Sequence, residues 1–259
     1  MHKLVTRLAL LLILALAPAA MAQPAADTRR SGFDFMGAAT QAMQKDDTLN
    51  PGMLWARDGE ALWQKAAGLS GKACVTCHAA ASSSMKGDAA RYPAFDEALK
   101  RPVSLSQRIN SCRQQHQQAE PLRAESQDLL ALESYVAFQS RGMPVSPPAD
   151  ARLDAFRAQG QQRFMQRMGQ LNLSCAQCHD DQAGKRLGSS QIPQAHPMGY
   201  PVYRLEWQAI GSLQRRLRNC MTGVRAEPYA YGANELVELE LYLAARARGM
   251  AMETPAVRP

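Results

Sequence analysis

The hydrophobic pattern of the chain falls into two similar halves. In one, Asp128 to Arg141 (DLLALESYVAFQSR) carries Leu129, Leu132 and Val136 at helical spacing. In the other, Glu235 to Arg248 (ELVELELYLAARAR) carries Leu236, Leu239 and Leu243 in the same frame, and Tyr242 matches Tyr135. Each stretch runs into Gly-Met (Gly142-Met143 and Gly249-Met250), and glycine is the usual residue just past a helix end. Upstream, Gly59 and Trp63 share one face of a predicted helix, and Gly160 and Phe164 repeat the pair. A glycine beside an aromatic ring lets another helix cross closely, so each half is expected to pack its first helix across its last.

Other positions repeat as well. A shift of 108 lays Tyr92-Pro93 on Tyr200-Pro201, Arg108 on Arg216 and Cys112 on Cys220, and the closing helices align at a shift of 107. A repeat of this length indicates two copies of one domain. The expected domains are residues 23–143 and 151–259, joined by a linker over 144–150 whose prolines make it extended and stiff. The polar, turn-rich stretch from Thr28 to Gly59 reads as an N-terminal extension packed against the first copy.

Both copies contain the same pentapeptide form, Cys74-Val75-Thr76-Cys77-His78 and Cys175-Ala176-Gln177-Cys178-His179. C-x-x-C-H is the attachment sequence of a c-type haem: two thiols within one turn bond to the vinyl groups, and the adjacent histidine ligates iron. A helix bearing glycine and an aromatic, then C-x-x-C-H, then a Leu-x-x-Tyr helix resembles the cytochrome c fold. The expected fold is therefore all-α, two tandem cytochrome c-like domains after an N-terminal extension. Two covalent haem c groups would be held by Cys74 and Cys77 and by Cys175 and Cys178, with His78 and His179 as axial ligands.

The N-terminus adds a compartment. Lys3 and Arg7 precede an apolar run from Leu8 to Ala20, and Ala20-Met21-Ala22 follows, which reads as a secretory signal peptide over residues 1–22. The run is short for a membrane span, and no other stretch is long and apolar enough to cross a bilayer. Covalent haem attachment takes place outside the cytoplasm, so leader and motif both point to the bacterial periplasm. The formal charge of +7, two units of which leave with Lys3 and Arg7, suits anionic small molecules or an acidic protein partner. No nucleic-acid motif, phosphate loop or Ser/His/Asp constellation is present.

The sixth ligand of each iron decides between electron transfer and catalysis. Met143 and Met250 match, but they follow the closing helices, where methionine commonly fills a gap in the core. Met85, Met198, Met221, His116 and His196 have no counterparts. Cys112 and Cys220 do match, each seven residues beyond a leucine (Leu105, Leu213), and a coordinating metal would hold such a sulfur as thiolate. The competing readings are buried free thiols or a Cys112–Cys220 disulfide, which an oxidising compartment permits. Thiolate donation stabilises ferric iron and makes a poor general electron shuttle, which suggests that the sulfur itself reacts. Arg216 lies one helical turn before Cys220, with Arg215, Arg218 and Arg225 nearby. Such guanidinium groups bind oxyanions through paired hydrogen bonds. Equally, Arg216 could pair with a haem propionate, as Arg108 beside Cys112 suggests; the extra arginines tip the second half toward substrate.

These residues, together with Ser31-Gly32-Phe33-Asp34-Phe35-Met36, Asn50-Pro51-Gly52-Met53-Leu54-Trp55 and Glu253-Thr254-Pro255-Ala256-Val257-Arg258-Pro259, resemble the SoxA family over essentially the whole mature chain. SoxA is a subunit of the SoxAX cytochrome of periplasmic thiosulfate oxidation. The resemblance implies an L-cysteine S-thiosulfotransferase that pairs with the monohaem cytochrome SoxX and joins thiosulfate oxidatively to a cysteine of the SoxYZ carrier. It further implies histidine/cysteine ligation of both irons, with Cys112 on the first. Cys220 would be catalytic, ligate the second iron and carry a persulfide, and Arg216 would contact substrate. Some relatives lack the first haem; this chain keeps Cys74, Cys77 and His78. The alternative is a dihaem electron-transfer cytochrome without chemistry of its own, and a peroxidase is disfavoured by two tight thiolate ligands.

Overall fold

The computed structural model describes residues 27–259, and the leader lies outside the described residues. Helices α1 (Ala38–Lys45) and α2 (Gly52–Gln64) lead to the first C-x-x-C-H turn, α3 (Cys74–His78), and a short α4 (Ala81–Ser84). Strands β1 (Ala94–Asp96) and β2 (Arg101–Val103) form a hairpin, followed by α5 (Leu105–Cys112) and the closing helix α6 (Gln127–Phe138). The second lobe repeats the series with α7 (Asp154–Met165) and α8 (Cys175–His179). Two hairpins come next, β3 (Arg186–Leu187) with β4 (Ser190–Gln191) and β5 (Val202–Arg204) with β6 (Ala209–Gly211). Helices α9 (Leu213–Gly223) and α10 (Asn234–Arg246) and strand β7 (Ala256–Arg258) complete it.

The two helix crossings form where the sequence places its glycines. A Cβ on Gly59 would overlap the carbonyl oxygen of Ala131 in α6, and one on Gly160 would overlap that of Glu238 in α10. The aromatic partner then stacks on the tyrosine of the closing helix: Trp63 on Tyr135 with ring centroids 5.9 Å apart, Phe164 on Tyr242 at 5.4 Å.

The expectation of an all-α fold is corrected. Of the described residues 45% are helical, and several small sheets accompany the helices. Two are isolated hairpins, and the third adds β7 to β5 in parallel, giving the order β6-β5-β7. The strands are two or three residues long, too short to complete an apolar/polar alternation, so the period that reveals helices has nothing to report here.

The N-terminal extension touches both lobes: Asp47 pairs with Arg141 of the first at 2.7 Å, while Arg29 donates to the carbonyls of Arg246 and Arg248 (both 2.8 Å) and the Arg30 amide to Gln194 (2.6 Å) of the second. Asn50 Nδ2 donates to the Pro255 carbonyl (2.8 Å). Gln44 Oε1 accepts from the Val257 amide at 3.0 Å, tying the extension to β7.

The lobes share structure. The segments after the two closing helices pair with each other: Gly142 N donates to Met252 O and Val145 N to Met250 O, both at 2.8 Å, and Met252 N returns to Met143 O at 2.9 Å. Val145 is buried, and Ser146 N bonds Ala90 O, so the proline-rich stretch is pinned to the fold at its start. One apolar core spans both lobes, from Trp63 and Val136 to Ala244 and Met252; a second, around Phe164, Leu236 and Leu239, belongs to the C-terminal lobe.

A cavity of about 260 Å³ lies between the lobes, lined by Tyr92, Tyr200, Glu125, Glu133 and Glu240 among others. Glu133 on α6 and Glu240 on α10 occupy equivalent places in the repeat. Burial, the charge of Glu240 and that of Glu125 push Glu133 up to about 8. Burial does the same to Glu240, to about 8, against a hydrogen bond from Gln214.

Candidate functional site

The second C-x-x-C-H turn is built by local chemistry. Ser174 caps α8, accepting from the Gln177 amide at 3.2 Å while the Gln177 side chain accepts from the Ser174 amide at 2.9 Å, a reciprocal capping box. The loop before it is tied to the end of α9: Gln170 N donates to Arg225 O (3.2 Å) and Leu171 N to Val224 O (3.3 Å). The first lobe makes the same tie from Leu69 and Ser70 to Gln118 and Gln117. Thus the cysteine pair and the helix carrying the third cysteine are fixed relative to each other in both copies.

Downstream, Ser212 caps α9, accepting from the Arg215 amide at 3.1 Å. On this helix Leu213, Arg216, Leu217 and Cys220 follow the i, i+3, i+4, i+7 spacing of one face, and all four line a cavity of about 550 Å³. His179 enters from the opposite element, its Nδ1 bonded to the Pro193 carbonyl at 2.7 Å. That bond leaves Nε2 as the free nitrogen, the arrangement by which metal-ligating histidines are oriented.

His179 and Cys220 meet in the cavity. Burial pushes the Cys220 thiol up, but the hydrogen bond from His179 and the charges of Arg216, His179 and Arg204 outweigh it, so its pKa falls below the ordinary thiol value. Burial pushes neighbouring Cys175 the other way, to about 11. The electropositive side of the site therefore acts on one sulfur. No disulfide joins Cys112 and Cys220, and none of the six cysteines is disulfide-bonded.

The remaining walls are arginine-rich. Arg186, Arg204, Arg216 and Arg258 all line the cavity, and no aspartate or glutamate side chain does so among the described residues. Arg258 is neutralised by Glu253. Burial, then the charge of Arg216, lowers Arg204, whose Nε is buried without a hydrogen-bond partner. Burial raises the Tyr200 hydroxyl, against the charges of Arg216 and Arg204. The N-terminal extension contributes Gly32, Phe35 and Met36 to the rim.

Arg216 and Cys220 share one face of α9 and line the cavity, whereas Arg215, Arg218 and Arg225, close by in sequence, are engaged elsewhere. Arg215 stacks on Trp207 with its guanidinium carbon 4.2 Å from the ring centroid, Arg218 stacks on Tyr231 and bonds the Tyr229 carbonyl, and Arg225 serves through its backbone. The arginines that join Arg216 come from strands β3, β5 and β7, which nearness in sequence to Cys220 could not reveal. His196 bonds the Arg30 carbonyl at 2.9 Å and lies at the cavity wall; Met198 and Met250 pack in the interlobe core.

The first lobe gathers Cys74, Cys77 and Cys112. Gln117 Nε2 lies 3.7 Å from the Cys74 sulfur, and His78 packs on Trp63 with ring centroids 5.7 Å apart. Burial raises Cys112, opposed by Arg108. Arg108 itself forms an ion pair with buried Asp96 at 2.9 Å.

Paired thiols on one turn and an oriented imidazole beside a low-pKa sulfur, in a cavity walled by Leu213, Leu217 and Leu243, fit a covalently attached haem. With the helix crossings described above, they define a cytochrome c domain. A family model for the SoxA/TsdA cytochrome c domain matches residues 58–145 and again residues 159–252, and the chain belongs to the SoxA family. It is similar to the L-cysteine S-thiosulfotransferase subunit SoxA of Pseudaminobacter salicylatoxidans, 37% identical over 233 residues covering 90% of this chain and 82% of that one. The corresponding subunit of Rhodovulum sulfidophilum is 36% identical over 232 residues, covering 90% and 81%. The crystal structure of SoxXA from P. pantotrophus superposes with a TM-score of 0.86 at 31% identity, over 89% of this chain and 87% of that one. Cytochrome c domains carry haem c, and among the described residues no helix is long and apolar enough to cross a membrane.

Proposed function

We propose that the cavity of the second lobe is the active centre of an L-cysteine S-thiosulfotransferase, with Cys220 as its catalytic sulfur and Arg216 as a substrate contact. The observation that carries this reading is the pairing of His179 and Cys220 in a cavity lined by four arginines and no carboxylate side chain among the described residues. In the net reaction one S–S bond forms between the outer sulfur of thiosulfate and a cysteine thiol of a carrier protein, the thiol proton is released, and two electrons leave. Arg216 would seat the sulfonate through paired hydrogen bonds and hold the outer sulfur toward Cys220, which carries the sulfane sulfur as a persulfide. An S–S bond forms between the outer sulfur of thiosulfate and the terminal sulfur on Cys220 with loss of two electrons. The carrier thiolate then attacks the thiosulfate-derived sulfur, breaking that bond, taking the thiosulfonate group and returning the sulfur on Cys220 as the leaving group. Pro193 keeps the His179 ring oriented, and Leu213, Leu217 and Leu243 restrict water. The bound haem supplies an acceptor for the electrons, which removes the barrier to joining two sulfur nucleophiles.

Two haem c groups would be held, one by Cys74, Cys77, His78 and Cys112, the other by Cys175, Cys178, His179 and Cys220. The division is a first lobe to residue 143, a linker over 144–150 and a catalytic lobe from 151. The partner that takes the electrons is a SoxX-like monohaem cytochrome forming a heterodimer, a reading supported by the resemblance to the SoxXA crystal structure. The carrier is SoxYZ. The leader sequence and covalent haem attachment support a periplasmic location.

Cys220→Ser tests the reading. Thiosulfate-dependent turnover with the partner cytochrome and carrier should disappear, while haem stays attached through Cys175 and Cys178. Mass spectrometry of the native peptide should find an added sulfur on Cys220. Normal turnover by the variant would leave only an electron-transfer cytochrome.

A further inference from the structure

The duplication supplies an internal control for the charge around Cys220. Asp96 is the last residue of β1 and Arg204 the last of β5, and the hairpins have the same register: Asp96 faces Arg101 as Arg204 faces Ala209. Arg108 and Arg216 both lie one turn before the cysteine of the helix that follows. In the first lobe these two places hold Asp96 and Arg108, an ion pair at 2.9 Å with the aspartate 6% exposed. In the second they hold Arg204 and Arg216, and the pair has become doubly positive.

Two partly buried cations on neighbouring positions repel unless something anionic lies with them. The protein supplies little of it. The one carboxylate on Arg204 is that of Glu206, which is exposed and takes Nη2 at 3.0 Å, leaving Nε buried and unpartnered. None of the ion pairs of the described residues involves Arg216.

We propose that Arg204 and Arg216 together form a two-guanidinium oxyanion seat beside Cys220, with Arg204 as a second substrate-positioning residue present only in the catalytic lobe. This rests on the active-centre reading above and names the group that shares the sulfonate with Arg216. A sulfonate presents three oxygens, enough for two planar forks, whereas one arginine satisfies at most two. A haem propionate has the same chemistry. The repeat separates the two sources: two copies of one haem fold place their propionates alike, and the first copy has a carboxylate at this position, which would repel a propionate. The positive charge added at Arg204 therefore serves what the first lobe lacks, the substrate.

The test uses the haem-loaded heterodimer and its carrier, comparing Arg204→Gln and Arg204→Lys with the parent protein. For Arg204→Gln the KM for thiosulfate should rise about 10-fold to about 100-fold, the range of one hydrogen bond to a charged group. Inhibition by sulfate, an unreactive oxyanion, should weaken in parallel, and the haem absorption spectrum and midpoint potentials should stay in place. Arg204→Lys should recover part of the affinity. A shifted spectrum or potential with unchanged thiosulfate KM would assign Arg204 to a propionate and overturn the proposal, as would unchanged values throughout. Should the parent show no thiosulfate turnover, the active-centre reading fails by itself. Calorimetric binding of sulfate, weakened by Arg204→Gln, would still support the seat, and equal binding would refute it.

Discussion

Glu133 and Glu240 make stability depend on pH in a calculable way. Both carboxyls face the interlobe cavity and keep their protons to about pH 8, against an ordinary value of 4.5. Between those limits the folded state binds protons that the unfolded state has lost, so stability is fully present below about pH 4.5 and falls as pH rises toward 8. Each group contributes a slope of about 1.4 kcal/mol per pH unit, so Glu240 alone removes up to about 3 kcal/mol between pH 5 and pH 7. Glu240→Gln deletes that contribution and also the charge that raises Glu133, while an amide can still bond Gln214. The variant should match the parent near pH 5 and exceed it at pH 7 by about 2 kcal/mol, or roughly 4–8 °C in Tm. Denaturant unfolding of the haem-loaded protein at pH 5, 6, 7 and 8 measures both slopes. Parallel curves for parent and variant would show that the carboxyls are solvated by cavity water and would refute the reasoning.

Two further outcomes follow from the packing. Gly160→Ala places a methyl against the Glu238 carbonyl, so it should cost at least 1–3 kcal/mol by overpacking and lower Tm, with the second lobe losing protection in hydrogen exchange first. Asp96→Asn keeps the acceptor for the Ala98 and Leu99 amides (2.9 and 2.8 Å) but removes the charge opposite Arg108; a loss of about 1–3 kcal/mol is expected from chemical denaturation, with turnover at Cys220 unchanged.

What the sequence made legible was whatever helical periodicity or fixed spacing encodes. Gly59 with Trp63 and Gly160 with Phe164 announced the two crossings because a four-residue step on a helix is a contact. Arg216 and Cys220 shared a face for the same reason. The sheets escaped because Val202–Arg204 and Ala256–Arg258 are too short to show alternation, and with them escaped Arg204 and Arg258, which reach the cavity from strands. Arg215 and Arg218 are engaged elsewhere because adjacency in sequence puts them on other faces of α9, where aromatic rings take them up. The Asp96 to Arg204 exchange was visible in the repeat, but its meaning needed the hairpin register.

The reciprocal pairing of residues 142–145 with residues 249–252 makes each lobe a structural prosthesis for the other. Excising the N-terminal lobe would strip the catalytic one of a backbone partner and lay bare half of a shared apolar interior. The first lobe thus acts as a buttress for the second through its backbone and its share of the core.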